Sequence, residues 1–400
     1  MTRLGDRLFL RAALVVAISA MFHAPAAGQD SPPSALRTAV SGSSADQTAH
    51  DDQMAHPGQT GSDAALTEYP SLRISGFGNV DFSAQDQTEG PRGFSEGQFV
   101  LHLVAALSPR VNVFSELSFT PRADAGTGTP AATGFNAEVE RLIVRFDHSD
   151  RLKVSFGRYH TPVNWWNTAF HHGAWLQTTI SRPEMVQFGG RFIPVHFVGA
   201  LVEGAVPAGG LNVGYQAGIG NGRGNVISRG GDAGDNNARP AYLLSLFSKP
   251  DRLFGLQVGG SFYGDRVSVP AKPEFDEQIL AAHAVWQRED PELIAEIADV
   301  RHQQVGATPT SSSIAYYVQA AYRLPAFDRL WKPYFRFEHI GIDPTDQVFA
   351  GVVPSLDGST LGVRYDISTY AAVKAEVRVR QRVSDQPRTN GAFLQVCFTF

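Results

Sequence analysis

The chain has 400 residues, a formal net charge of −5, 43% hydrophobic residues and a mean hydropathy of −0.15. That balance gives no reason to expect nucleic acid as a partner, and the single cysteine, Cys397, excludes a disulfide framework or a thiolate metal centre. Beyond the N-terminus no stretch has the roughly 18 consecutive apolar residues of a membrane-spanning helix, whereas 39 glycines and 26 phenylalanines favour turns, bulges and strands.

Residues 1–28 have the layout of a secretory signal. Arg3, Arg7 and Arg11 form the basic end, Ala12 to Phe22 the apolar centre, and Ala24 to Gly28 a small-residue cleavage region. Residues 29–70 follow as a polar lead-in on the periplasmic side, with six acidic residues against one arginine and almost no large apolar side chains. Such a segment cannot bury enough surface to offset chain entropy and is expected to be disordered. His50, Asp51, Asp52, Met54 and His56 lie within it, but two histidines and one methionine fall short of a repeated ligand tract, so it reads as a solvated linker.

From Leu72 onward the hydrophobic period is two. Leu72, Ile74, Val80 and Phe82 share one face, with Arg73, Ser75, Asn79 and Asp81 opposite. Further strands are expected at about 98–107, 111–120, 137–147, 151–158, 185–206, 211–220, 240–248 and 254–264. The series continues at 277–288, 292–303, 312–323, 332–341, 358–367, 371–382 and 391–400, sixteen strands in all. Short links alternate with long Gly/Asp/Asn/Pro-rich ones, the arrangement of an antiparallel transmembrane β-barrel occupying 71–400. No blade-length repeat points to a propeller.

The last stretch carries a specific signal. Ala392, Leu394, Val396, Phe398 and Phe400 share one face of a strand, and the chain ends on the aromatic. This resembles the terminal strand of bacterial outer-membrane barrels, whose final Phe is favoured by the barrel-assembly machinery. Together with the signal, lead-in and strand count it resembles the sixteen-stranded general and phosphate-selective (O/P type) porins. The run Phe156-Gly157-Arg158-Tyr159-His160-Thr161-Pro162 is similar to the strand-five exit that begins the constriction loop of O/P-type porins. The resemblance implies outer-membrane lipid as surroundings, small hydrophilic solutes as cargo, and a homotrimeric assembly, which is common among porins of this size.

The longest link, Tyr159 to Glu184, holds Trp165, Trp166, Phe170 and Trp175 together with His160, His171, His172 and Arg182. So much aromatic surface is unsuited to a water-exposed loop, so this third long loop is expected to fold inward and narrow the pore. No carboxylate sits among the histidines at a recognised ligand spacing, so aromatic packing and hydrogen bonding are expected rather than a metal. Strand fifteen alternates Val373, Ala375, Val377 and Val379 with Lys374, Glu376, Arg378, Arg380 and Arg382. A charged face must point at water, because Arg or Lys on the lipid face costs about 2–4 kcal/mol at mid-depth. Arg336 with Glu338, and Arg364 with Asp366, extend this wall. It is either an anion-attracting surface or a self-compensating ladder that solvates the interior. The chain has only five lysines and no lysine cluster in a loop, so phosphate selectivity is not expected.

No His-Glu-x-x-His pair, P-loop or dinucleotide-binding spacing is present, and no cofactor is implied. The expected function is passive diffusion of small hydrophilic solutes with a mild preference for anions. A plugged barrel that binds a ligand or metal ion is the second reading, and a barrel hydrolase the third.

Overall fold

The computed structural model describes residues 68–400, apart from 87–91, 123–126, 128, 130–133, 188–190, 225 and 383–387. The expected signal at 1–28 and all but the end of the lead-in at 29–70 therefore lie outside the described residues. The period-two sequence forms sixteen strands. The first eight are β1 (Ser71–Gln85), β2 (Gly93–Ser108), β3 (Val111–Pro121), β4 (Phe135–Ser149), β5 (Leu152–His160), β6 (His196–Val206), β7 (Val213–Asn221) and β8 (Ala241–Ser248). The second eight are β9 (Leu256–Val267), β10 (Phe275–Gln287), β11 (Glu292–Gln304), β12 (Thr310–Ala321), β13 (Trp331–Gly341), β14 (Leu356–Ser368), β15 (Ala371–Arg382) and β16 (Thr389–Thr399). Each pairs antiparallel with its neighbours in sequence, and β16 pairs with β1 to close the barrel.

Closure satisfies the backbone polar groups of every strand, a necessity where no water is present to bond an open edge. The side chains then separate by face. In β8, Ala241, Leu243 and Ser245 point inward and are buried, while Tyr242, Leu244 and Leu246 point outward and are about half exposed. The same outward apolar set recurs in β4 (Leu142, Val144), β13 (Phe335, Phe337) and β16 (Leu394, Val396). A continuous apolar belt on the outside of a closed barrel is stable in lipid and not in water. The fold is that of the bacterial outer membrane.

The terminal residue completes the seam. Phe400 N–H donates to the Gly76 carbonyl and Gly76 N–H donates to that of Phe400, both at 3.1 Å. Gly76 and Gly78 leave room for two rings: a Cβ on either would lie 2.6 Å from Phe400 or 2.4 Å from Phe398. The Phe400 ring stacks on Phe99 with centroids 6.0 Å apart.

The strands agree closely with those expected, with one correction. The sixth strand begins at His196, not near 185. Pro194 lacks an N–H and cannot continue a ladder there. Met185, Val186, Phe192, Ile193 and Val195 are all buried without alternation, which a strand with one lipid face cannot achieve. The link between β5 and β6 is therefore 161–195, and Tyr159 and His160 are the last residues of β5.

Deleting Phe400 removes both closing hydrogen bonds and the ring on Phe99. We expect severalfold less heat-modifiable barrel in the outer membrane, measured on unheated gels of membrane fractions, and an unchanged amount would count against this role.

Candidate functional site

The segment 161–195 is the candidate site, and it is held first by carboxylates and hydroxyls of the barrel wall. Asn164 turns the chain with a positive φ of 65°, and its N–H donates to Ser261 Oγ of β9 at 2.9 Å. The one-and-a-half-turn helix α1 (Trp166–Phe170) follows. The N–H groups of Trp165 and Trp166, both without intrahelical partners, donate to Glu296 Oε1 of β11 at 2.7 Å. Phe170 packs edge-on against both indoles, with centroids 4.9 and 5.9 Å away. These rings join Tyr263, Ile279, Ile294 and Tyr317 of the wall in one hydrophobic cluster, so the aromatic surface of the segment is covered.

The rest of the segment, which among its described residues has only isolated turns and the short 3-10 helix Glu184–Val186, is bonded by the charged wall. Lys374 Nζ donates to the carbonyls of Ala174, Gln177 (2.8 Å) and Thr179 (3.1 Å). Arg364 reaches the carbonyls of Trp175 (2.6 Å) and Gln177 (3.2 Å), and its guanidinium lies 4.7 Å above the Trp175 ring. Arg336 donates to the Ser181 carbonyl at 2.8 Å and to Ser181 Oγ at 2.6 Å. In the opposite polarity, Glu376 Oε2 accepts from Ile180 N–H at 2.9 Å, and Glu338 Oε2 accepts from Glu184 N–H at 2.7 Å. Arg336 and Lys374 have no exposed surface. These groups bond protein backbone and one another, as Arg364 also bonds Asp366 at 2.7 Å.

Arg378, Arg380 and Arg382 lie further toward the long-loop end. Arg378 pairs with Glu376 and Arg380 with Glu184, while Arg382 is exposed. Burial pushes the Glu184 carboxyl up, and Glu338 adds to this against the opposing pull of Arg380. The three arginines, with Arg182 and Arg191, line a cavity of about 1120 Å³ that also meets Asp81, Glu184 and Asp343. Toward the short turns a second cavity, about 140 Å³, is lined by His160, Trp165, Glu203, Lys249 and Gln287. A third, about 750 Å³ on the long-loop side, meets His172, His196 and Glu140.

The histidines come together. His160 and His171 have ring centroids 3.9 Å apart, His171 and His172 4.5 Å, and His171 and His196 4.9 Å. Arg182 donates to the His171 carbonyl and lies 5.0 Å from the Trp166 ring. Burial, with the Arg182 guanidinium close by, holds the His171 imidazole well below the ordinary histidine range.

Several members of the site were not visible as such in the sequence. Glu292, which accepts from Thr178 Oγ1, and Glu296 lie on β11, far from the segment in the chain, while Glu140 comes from β4 and His196 directly follows the segment. A second loop, expected as a long Gly/Asp/Asn/Pro-rich link at 342–357 and spanning 342–355 in the structure, has Val348, Phe349 and Val353 buried. Phe349 stacks on Phe192 of the candidate segment at 5.4 Å. Asp346 anchors that loop: it bonds His302 Nδ1 at 2.9 Å and accepts from the N–H groups of Val348 and Phe349. Burial opposes ionisation of Asp346, but the His302 bond and charge hold its carboxyl below the usual range. The paired apolar residues Val348-Phe349 and Val352-Val353 were the available signal.

No family model and no curated protein matches this sequence. Solved structures do. The outer membrane channel DcaP of Acinetobacter baumannii superposes with a TM-score of 0.56 at 10% identity, covering 82% of this chain and 97% of that one. In-vitro folded OmpT, an outer membrane protein of Vibrio cholerae, gives 0.54 at 11%, covering 84% and 99%, and has also been solved in a trimer form. Salmonella typhi OmpF in complex with daunomycin gives 0.51 at 12%, covering 83% and 98%. At such identities the likeness speaks for the fold, and the fold is that of a porin-like, sixteen-stranded outer-membrane barrel.

Proposed function

We propose that this chain is an outer-membrane porin that lets small hydrophilic solutes diffuse through a lumen narrowed by 161–195. The observation that carries the reading is the clamp. Charged side chains from β11, β13, β14 and β15 hold one inter-strand segment by its backbone, and water-sized space remains toward both ends of the barrel. A sixteen-strand barrel is wide enough for an aqueous channel unless something enters it. No residue performs bond chemistry in this reading; lumen side chains set the limits of size and charge. Residues 1–28 then serve as the export signal and 29–70 as a periplasmic lead-in. Assembly as a homotrimer fits the trimer form of the similar OmpT.

The wide cavity favours anions, with five arginines against three carboxylates along it. The contact of Phe192 with Phe349 favours a second reading, in which the two loops together close the barrel and bind a ligand without conducting. A hydrolase would be recognised by lipase or protease turnover in the refolded protein.

Replacing 163–187 with a short Gly/Ser link should raise single-channel conductance severalfold and admit larger neutral sugars in planar bilayers. Unchanged conductance and sugar cutoff would place the segment outside the current path. A silent wild type that opens on this replacement would establish the plugged reading instead.

Arg382→Glu moves the local charge by two units at an exposed position. The reversal potential in a salt gradient should shift toward cations. The shift should be larger at about 0.01 M salt, where charges act over about 30 Å, than at 1 M, where they act over about 3 Å. No shift at either concentration would remove this cavity from the ion path.

Lys374→Met takes the Lys374 donor from the Ala174 and Thr179 carbonyls and leaves that of Gln177 with Arg364 alone, a loss of about 1–3 kcal/mol for a buried unsatisfied group. We expect a barrel that still assembles but shows a noisier open-channel current. Noise equal to that of the wild type would mean that Lys374 does not hold the segment in place.

A further inference from the structure

The histidine cluster lies where the candidate segment meets three strands of the wall. His160 ends β5 and is the cross-strand partner of His196, which begins β6. His171 and His172 follow α1. Glu140 comes from β4, where the pairing with β3 steps from Glu116–Arg141 to Leu117–Val139 and leaves Glu140 as the extra residue of a β-bulge. The bulge breaks the alternation, so that Glu140 and Arg141 both face inward and are both buried. Bulges re-aim side chains in this way at functional sites.

We propose that His160, His171, His172 and Glu140 form a binding site for a borderline divalent transition-metal ion such as Zn²⁺. Donor atoms of the three histidines lie within 4.8 Å of one another, as do those of Glu140, His171 and His196. His172 Nε2 and Glu140 Oε1 are 3.2 Å apart, the spacing kept by two ligands of one tetrahedral ion. With metal–nitrogen bonds of about 2.0–2.1 Å the other donors need to close by roughly an ångström, a movement available to side chains on an irregular segment. Three imidazoles and one carboxylate suit zinc, nickel or copper better than the hard cations calcium and magnesium.

The surroundings orient the ligands. Asn167 Nδ2 donates to the carbonyls of Thr161 and Val195, both at 3.0 Å, which fixes its Oδ1 toward His171 Nδ1 at 2.9 Å. His171 therefore carries its proton on Nδ1 and presents a lone pair on Nε2, the arrangement by which an outer amide prepares a histidine ligand. Arg158 Nη2 lies 3.2 Å from His196 Nδ1, so His196 carries its proton on Nε2 and donates it to Glu140 Oε2 at 2.9 Å. Glu140 Oε1, which accepts from Ser118 Oγ at 3.1 Å, faces His172 and offers its second lone pair to the ion. Arg141 is paired with Glu116, and Arg158 is shared between Asp232 at 2.9 Å and Glu140 Oε2 at 3.5 Å.

The proposal deepens the porin reading, since an ion held here would fasten the segment to β4 and β5 and so set the width of the constriction. Full-length, untagged protein in detergent should bind one equivalent of Co²⁺ with the visible absorption of a tetrahedral site, and Zn²⁺ should displace it. His171→Ala should abolish the signal. Asn167→Leu, which touches no proposed ligand atom other than through His171, should weaken binding about 10–100-fold, as loss of an outer-shell partner does. His50→Ala/His56→Ala, in the lead-in, should bind like wild type. Absence of Co²⁺ binding by wild-type protein that is heat-modifiable on gels would overturn the site, as would loss of binding only in the lead-in variant. In bilayers, micromolar Zn²⁺ should alter the wild-type current and leave that of His171→Ala unchanged. Metal binding by a barrel that never conducts would overturn the porin reading and leave the metal site standing.

Discussion

A polypeptide that leaves water must bond every backbone N–H and C=O it carries, and this constraint governs the protein on both sides of its wall. On the lipid side it is met by closing sixteen strands into a barrel, with the pair of bonds between Phe400 and Gly76 at the seam. On the inner side the segment 161–195 has little regular structure of its own. Its backbone groups are bonded by side chains of the wall, carbonyls to Lys374, Arg364 and Arg336, and N–H groups to Glu296, Glu376 and Glu338.

That arrangement explains why charges are so deeply buried in a lumen. Lone buried ions are strongly disfavoured, but each here has an opposite charge or several peptide dipoles as partners. Lys374 alone serves three carbonyls. The charged wall therefore divides along the axis: its deeper members hold the segment, and its outer members, Arg380 and Arg382, border the open cavity.

The histidines sit at the junction of these parts. His160 and His196 belong to the wall, His171 and His172 to the segment it holds, and Glu140 reaches both through a bulge. A site assembled from wall and segment together responds to the position of the segment, which a site on either alone would not.

Strand number, strand facing and closure could be read from the sequence, because side chains alternate with period two and lipid demands apolar residues at every other position. The terminal Phe400 and the alternation of Lys374, Glu376 and Arg378 with valines and alanines carried that information locally. The burial of Trp165 and Trp166 was likewise legible, since indoles in a long loop require a covering surface. What the inner charges bond was not legible. Alternation shows that Arg336 and Lys374 face the interior, but whether they meet water or Ser181 and Thr179 depends on contacts between residues more than 150 positions apart. The start of β6 is illegible for the same reason: Met185, Val186, Phe192 and Ile193 are apolar because the segment packs within the wall, and a run of apolar residues alone does not distinguish that from a strand. The carboxylate beside the histidines could not be found by spacing, because Glu140 reaches them from β4, the strand paired with β5, through a bulge. Local periodicity determined the barrel; only tertiary structure decided what its interior holds, since those bonds join residues distant in the chain.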